Sequence, residues 1–295
     1  MTAPLYPAQT RDQFQVTTST VSIPDPLQER DVNFRVHRPE GDTDLVVVFS
    51  HGSLCGCTQY DRLTLPWAER GFIVISPEHP DALEAGAPSG PPDLMLLLSQ
   101  RIRDMSLALD ALGEISGAAA GRKAIAAGHS FGALTAMIKL GLPLAAGSYQ
   151  FDGSPADARF VAGMSLSGVG QLPPLTEDAF SHLIKPVLAT GGSLDEGNVG
   201  AGPVFPWEWR LGAYDLAPPG DKYRVAIENA DHYFGGLIAR DDRGDAADEA
   251  GLNIIRAVTS AFLDAYARDD ANAKHWLNET DLTALTDGRA VLDRK

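Results

Sequence analysis

Basic residues are in short supply in this chain. Of 295 residues, 24 are Lys or Arg against 39 Asp or Glu, a formal net charge of −15. Such a balance argues against a nucleic-acid partner, whose phosphates demand basic patches, and against attraction to an anionic membrane. Cysteine is scarcer still. Cys55 and Cys57 are the only two, which excludes a disulfide scaffold. No second Cys pair or His set stands beside them to complete a zinc site. A mutual bridge over so short a loop would be strained, so both are read as reduced thiols in a loop or the core. No apolar run reaches the ~18 residues of a membrane span, and residues 1–16 lack the apolar stretch of a signal peptide. The expectation is a cytoplasmic protein, or a secreted one if a leader has been removed. Internal repeats and long linkers are also missing.

What is present is a core. Apolar residues make up 44%, which argues strongly against disorder, and a chain of this length hides roughly three quarters of its unfolded surface. Continuous apolar runs of the kind buried parallel strands require occur at 45–49, 72–75, 123–127, 160–166, 186–189 and 223–227. Two alternating segments precede them, 14–23 and 32–38. Between the runs lie helical faces such as Ile102, Met105, Leu109 and Leu112, or Ile255, Val258 and Phe262. The pattern predicts one α/β domain over 1–295 with a mostly parallel, doubly wound sheet of eight strands, the first two antiparallel, and helices on both faces. Its core covers about 30–270. Segments 81–93, 142–157 and 197–219 break the rhythm as cap-like insertions, and 272–295 forms a polar tail with short helical potential.

The strongest chemical signal is Gly128-His129-Ser130-Phe131-Gly132, between an apolar run and the helix-like segment 133–140. Gly-x-Ser-x-Gly in a strand–turn–helix context is a nucleophile elbow: the turn is so tight that a side chain at either Gly would clash, and the Ser oxygen is pushed clear of the backbone. A serine hydroxyl needs a base. Of seven His, His232 in Ala230-Asp231-His232-Tyr233-Phe234 follows the last apolar run and reaches the sheet edge from which Ser130 leaves. His129 is expected to pack or bond beneath the elbow. His37, His182 and His275 are expected in solvent, and His79 is either a structural loop residue or a pocket residue. The base needs an acceptor to fix its tautomer. Asp195 in Gly191-Gly192-Ser193-Leu194-Asp195-Glu196 is the candidate, with Glu196 its nearest rival and Asp231 less suited because it adjoins the base. An oxyanion needs preorganised donors: the N–H of Phe131, and that of Ser53 in Ser50-His51-Gly52-Ser53-Leu54, with Leu54 as the fallback.

With those residues placed, the chain resembles the α/β-hydrolase superfamily, and within it the dienelactone-hydrolase-like group that includes plasma-type platelet-activating-factor acetylhydrolases, chlorophyllases and bacterial polyester hydrolases. The resemblance rests on Phe49-Ser50-His51-Gly52, on Ala68-Glu69-Arg70-Gly71-Phe72-Ile73-Val74, on the elbow, on the Asp195 loop, on Asp231-His232, and on Ala261-Phe262-Leu263-Asp264-Ala265-Tyr266. It implies Ser130, Asp195 and His232 as nucleophile, acid and base, with Ser53 and Phe131 forming the oxyanion hole. Dienelactone hydrolases proper use a Cys nucleophile; Ser stands there in this chain, which favours ordinary esters.

The expected function is therefore a serine carboxylesterase that needs no cofactor or metal and takes a small-molecule ester, a neutral one given the negative charge. Leu54, Trp207, Trp209 and Tyr233 are the candidate substrate contacts, although the aromatics of 197–219 could equally pack the core. Short-chain or aryl esters, acetylated phospholipid-like esters, macrolactones and polyesters are the candidate substrates. The alternatives are a thioesterase, amidase or acyltransferase on the same triad, and a non-catalytic binding module that keeps the fold.

Overall fold

A computed structural model describes residues 5–6, 13–82, 93–118, 123–197, 202–240 and 246–295. The elements run β1 (Val16–Asp25), β2 (Arg30–Pro39), β3 (Val46–Ser50), α1 (Asp61–Glu69), β4 (Ile73–Pro77), α2 (Leu94–Asp110), α3 (Leu112–Ser116), β5 (Ala124–His129), α4 (Phe131–Leu140), β6 (Phe160–Leu166), β7 (Val187–Gly192), α5 (Gly212–Asp215), β8 (Lys222–Ile227), α6 (Glu249–Ala267), α7 (Ala271–Glu279), α8 (Leu282–Leu285) and β9 (Ala290–Arg294). The apolar runs became strands for the anticipated reason: every residue of β3, β4, β5 and β7 is buried. α2 starts where Asp93 caps it, its carboxylate accepting from Met95 N at 2.9 Å and Leu96 N at 3.0 Å. The helical face anticipated over 102–112 is split at Ala111, so Leu112 opens α3.

The sheet order is β1-β2-β4-β3-β5-β6-β7-β8-β9. β4, β3, β5, β6, β7 and β8 are mutually parallel, while β1, β2 and β9 pair antiparallel. This corrects the expectation of eight strands. The ninth comes from the polar tail, where Ala290 and Leu292 are buried and Val291 between them is exposed. Two buried side chains in five residues are too weak an alternation to register as a strand in sequence, and it is pairing with β8 that creates it.

Alternate residues of each central strand enter different cores. Val46 and Val48 pack with Ile102, Met105 and Met137 of α2 and α4, whereas Val47 and Phe49 pack with Trp67, Ile255 and Phe262 of α1 and α6. With the sheet clamped on both sides, the C-terminal ends of β3, β5, β7 and β8 open onto one edge, where parallel sheets gather their loops. Of the anticipated insertions, 83–92 and 198–201 lie outside the described residues. Segment 142–157 is irregular and joined to the rest by a bridge from Leu144 to Leu175. No helix among the described residues is long and apolar enough to cross a membrane.

Candidate active site

β5 delivers Ser130 to that edge in a backbone conformation few residues adopt, φ 57° and ψ −120°, immediately before α4. Such a conformation costs on the order of 1–3 kcal/mol and persists only where its surroundings hold it. The flanking glycines do so by being empty. A Cβ at Gly128 would lie 2.1 Å from the carbonyl oxygen of Gly132, and one at Gly132 would lie 1.9 Å from that of Ser50. Both obstacles are backbone and cannot swing away. The elbow is therefore wedged between its own helix and the end of β3.

Asp195, in the loop after β7, is buried. Its Oδ1 accepts from His232 Nδ1 at 2.7 Å and from Arg210 Nε at 3.0 Å, and its Oδ2 accepts from the Ser167 hydroxyl. Burial alone would raise the carboxyl, but His232, Arg210 and Ser167 outweigh it and hold it below the ordinary carboxylate range. The bond to Asp195 fixes His232 with its proton on Nδ1, which leaves Nε2 as the basic nitrogen. Glu196 is exposed, and its carbonyl accepts from Arg210 Nη2 at 3.1 Å. Asp231 instead caps its own turn, accepting from Tyr233 N and Gly235 N at 2.9 Å each. Among the described residues Ser130 Oγ has no hydrogen bond, and it lines the same cavity as His232.

His129 is locked beneath the elbow by a directional chain. Its Nε2 lies 2.9 Å from the carbonyl of His232, which can only accept, so the proton sits on Nε2. Nδ1 must then accept, and the Tyr60 hydroxyl donates to it across 2.9 Å. Tyr60 in turn accepts from Gly52 N at 3.0 Å. Burial, with neighbouring His232 as the next largest influence, pushes the His129 imidazolium well below its ordinary range, which keeps the ring neutral as this chain requires. Gly52, Tyr60, His129 and His232 thus join the loop after β3 to the loop after β8.

The backbone N–H groups of Ser53 and Phe131 donate to no acceptor among the described residues, and both residues line the cavity. The fallback donor is engaged elsewhere: Leu54 N donates to Asp81 Oδ2 at 3.3 Å. Behind this loop lies a second serine–histidine–carboxylate row, Ser50 Oγ to His79 Nε2 at 2.8 Å and His79 Nδ1 to Asp104 Oδ2 at 2.8 Å. All three residues are fully buried, so no substrate reaches them and the row is structural. His79 is thereby a structural loop residue. His37, anticipated in solvent, is buried between Thr18 and Thr64 because β2 is covered by β1 and α1 rather than lying at the sheet's edge.

The cavity encloses about 910 Å³. Leu54 and Tyr233 line it, whereas Trp207 and Trp209, also expected there, do not. Trp209 stacks on Phe205 with ring centroids 4.6 Å apart and fills the space left by Gly170 and Gly197, and Trp207 packs against the α2–α4 core. The wall is built instead from Leu94, Met95, Leu98, Leu134, Val169 and Leu172. Cys55 also lines it, its thiol raised by burial, and Cys57 is buried; neither cysteine is in a disulfide. Sequence reasoning missed Arg210, Ser167, Tyr60 and Arg101. The available signal was a charged residue inside an apolar pattern, Arg210 among aromatics and Arg101 between Leu98 and Met105 on one face of α2. Among the described residues no cluster of His, Cys, Asp and Glu is arranged to hold a metal ion. No protein-family model matches the sequence, and no curated protein matches it.

Proposed function

We propose that the chain has the α/β-hydrolase fold and is a serine carboxylesterase with Ser130 as nucleophile, His232 as base and Asp195 as the acid that orients it. The observation that carries this reading is the convergence on one cavity of a strained serine, a histidine tied to a buried carboxylate, and two backbone N–H groups without acceptors. In the reaction Ser130 Oγ attacks the ester carbonyl as its proton passes to His232 Nε2. The oxyanion rests on Ser53 N–H and Phe131 N–H. The imidazolium, stabilised by Asp195, protonates the departing alkoxide. Water then repeats the sequence on the acyl-enzyme, releasing the acid and restoring Ser130. The apolar wall, with the Glu196 and Asp231 carboxylates also among the lining residues, favours neutral esters with an apolar acyl or alkyl group over anionic ones.

The decisive test is hydrolysis of a short-chain 4-nitrophenyl ester by the wild type and by Ser130→Ala, with fluorophosphonate labelling alongside. The expected result is labelling at Ser130 and a loss of roughly 10³-fold or more in kcat for the variant. Undiminished turnover in Ser130→Ala would refute the assignment. An ester panel at equal concentration then reads the preference, with apolar acyl groups expected ahead of charged ones.

A further inference from the structure

An oxyanion hole made from two backbone amides has a weakness: neither amide is aimed by a side chain of its own. Phe131 N–H belongs to the rigid start of α4, but Ser53 N–H lies in an exposed loop. What aims it is on the buried side of that loop.

Arg101, on α2, is fully buried. Its Nη1 donates to the carbonyl of His51 at 2.8 Å, and its Nη2 donates to the carbonyl of Gly52 at 3.2 Å. Asp81 balances the charge, accepting from Nε at 2.9 Å and from Nη2 at 3.0 Å, and the same carboxylate receives Leu54 N. The guanidinium carbon stands 4.5 Å from the centre of the Phe131 ring. One cation therefore touches both halves of the hole and, through Asp81, the residue beyond the first donor.

The peptide between Gly52 and Ser53 links these contacts to the chemistry. A trans peptide is planar, with its C=O and N–H pointing in opposite directions. Fixing the Gly52 carbonyl toward Arg101 fixes the Ser53 N–H away from it. A second donor reinforces the hold. His79 N donates to His51 Nε2 at 3.0 Å, so the neutral ring carries its proton on Nδ1, and that proton goes to the Gly52 carbonyl at 2.8 Å. Burial, then Arg101 and His79, keep the His51 imidazolium well below its ordinary range, consistent with the neutral form. Cys55 N closes the turn by donating to the same oxygen at 3.3 Å, so three donors converge on the Gly52 carbonyl, one of them a cation; the peptide is polarised and its N–H becomes a stronger donor.

We propose that Arg101 is a positioning residue for the oxyanion hole, holding the Gly52–Ser53 peptide so that the Ser53 N–H meets the charge that develops on the substrate carbonyl. This rests on the esterase reading above. Arg101 touches no substrate atom; it acts through the peptide, so its removal costs transition-state stabilisation rather than substrate binding.

The test compares wild type, Arg101→Lys, and Arg101→Met combined with Asp81→Asn, the last chosen so that no buried charge is left unpaired. Melting temperature and circular dichroism are read beside kcat, KM and inhibition by an alkyl trifluoromethyl ketone, whose adduct with Ser130 carries an oxyanion. Loss of a whole donor typically costs ~10²–10³-fold in turnover, and a donor that is misaimed rather than deleted should cost about 10- to 100-fold. The expected result is that loss in kcat with KM within about twofold, the same factor in trifluoromethyl ketone affinity, and an intermediate value for Arg101→Lys, whose ammonium reaches one carbonyl but not both. Folded variants with wild-type kcat, or a loss confined to KM, would overturn the proposal. So would unfolding of both variants, which makes Arg101 a stability residue. Failure of the esterase reading shows separately, as a wild type that neither hydrolyses the ester nor labels at Ser130, and it removes the proposal with it.

Discussion

Replacing Tyr60 by Phe removes one oxygen and nothing else. That oxygen both accepts and donates, taking Gly52 N–H at 3.0 Å and giving its proton to His129 Nδ1 at 2.9 Å. The Tyr60 ring would stay in place, since its fully buried position against Phe49, with centroids 4.9 Å apart, owes nothing to the hydroxyl. The change opens no cavity large enough for water. Two buried polar atoms are left without their partner, each at a cost of about 1–3 kcal/mol. The sum is roughly 2–6 kcal/mol, set against the small gain from burying a less polar ring. At about 2–4 °C per kcal/mol for a chain of this size, the melting temperature of Tyr60→Phe is expected to fall by roughly 5–15 °C.

Catalysis should suffer far less. His129 Nε2 still donates to the His232 carbonyl, so the loop after β8 keeps its direct tether, and kcat in the proposed esterase reaction is expected to stay within about tenfold of wild type. Scanning calorimetry with parallel ester kinetics measures both numbers. A double-mutant cycle with His129→Leu isolates the Tyr60–His129 bond, because removing both partners costs less than the sum of removing each. A Tyr60→Phe melting point within about 1 °C of wild type would refute the reasoning, since it would mean that neither Gly52 N–H nor His129 Nδ1 depends on this hydroxyl.

Two further outcomes follow from the geometry. Gly132→Ala is expected to abolish ester turnover and to lower the melting temperature by more than 5 °C, because its Cβ would overlap the Ser50 and His51 carbonyls at 1.9 and 2.6 Å; a folded, active variant in an activity and melting assay would contradict the wedge. Lys139 carries a cation that burial pushes down from 10.5 to about 8. The unfolded chain therefore binds the proton more tightly, and the penalty, about 3 kcal/mol, is complete below pH 8 and fades as pH rises from 8 towards 10.5. Lys139→Met should be more stable than wild type at pH 7 by up to that amount in urea titrations, with Ser106 still bonded to Asp157 at 2.9 Å. The gap should narrow at pH 9.5, and a less stable variant at pH 7, or a constant gap, would reverse the sign argument.

Which parts of this molecule were legible in sequence depends on the range of the force that makes them. The elbow could be read from five residues because one of its constraints is local, a Cβ at Gly128 meeting the carbonyl of Gly132 four positions on, although the constraint on Gly132 comes from Ser50 at the distant end of β3. Asp195 and His232 could be read because a parallel sheet sends every strand's end to one edge, so that position after a strand stands in for position in space. Trp207 and Trp209 failed the same inference. Being near the site in sequence does not set the direction of a ring, and gaps at Gly170 and Gly197, up to 39 residues away from Trp209, drew it inwards. β9 was hidden for the opposite reason, since two buried residues in a polar tail acquire meaning only from a partner strand 63 residues earlier, as Ala290 does opposite Ile227. Arg101 lies between these cases. Its contacts are distant in sequence, 20 residues to Asp81 and about 50 to the loop after β3, yet its anomaly is local: a cation three residues after Leu98 and four before Met105, on the face of α2 that packs on the sheet. A charge held on a face that must be buried demands compensating partners wherever they come from. In an α/β chain the unmatched polar groups of the interior lie where backbone leaves the sheet, so a buried charge on a covering helix points to the loops at the strand ends.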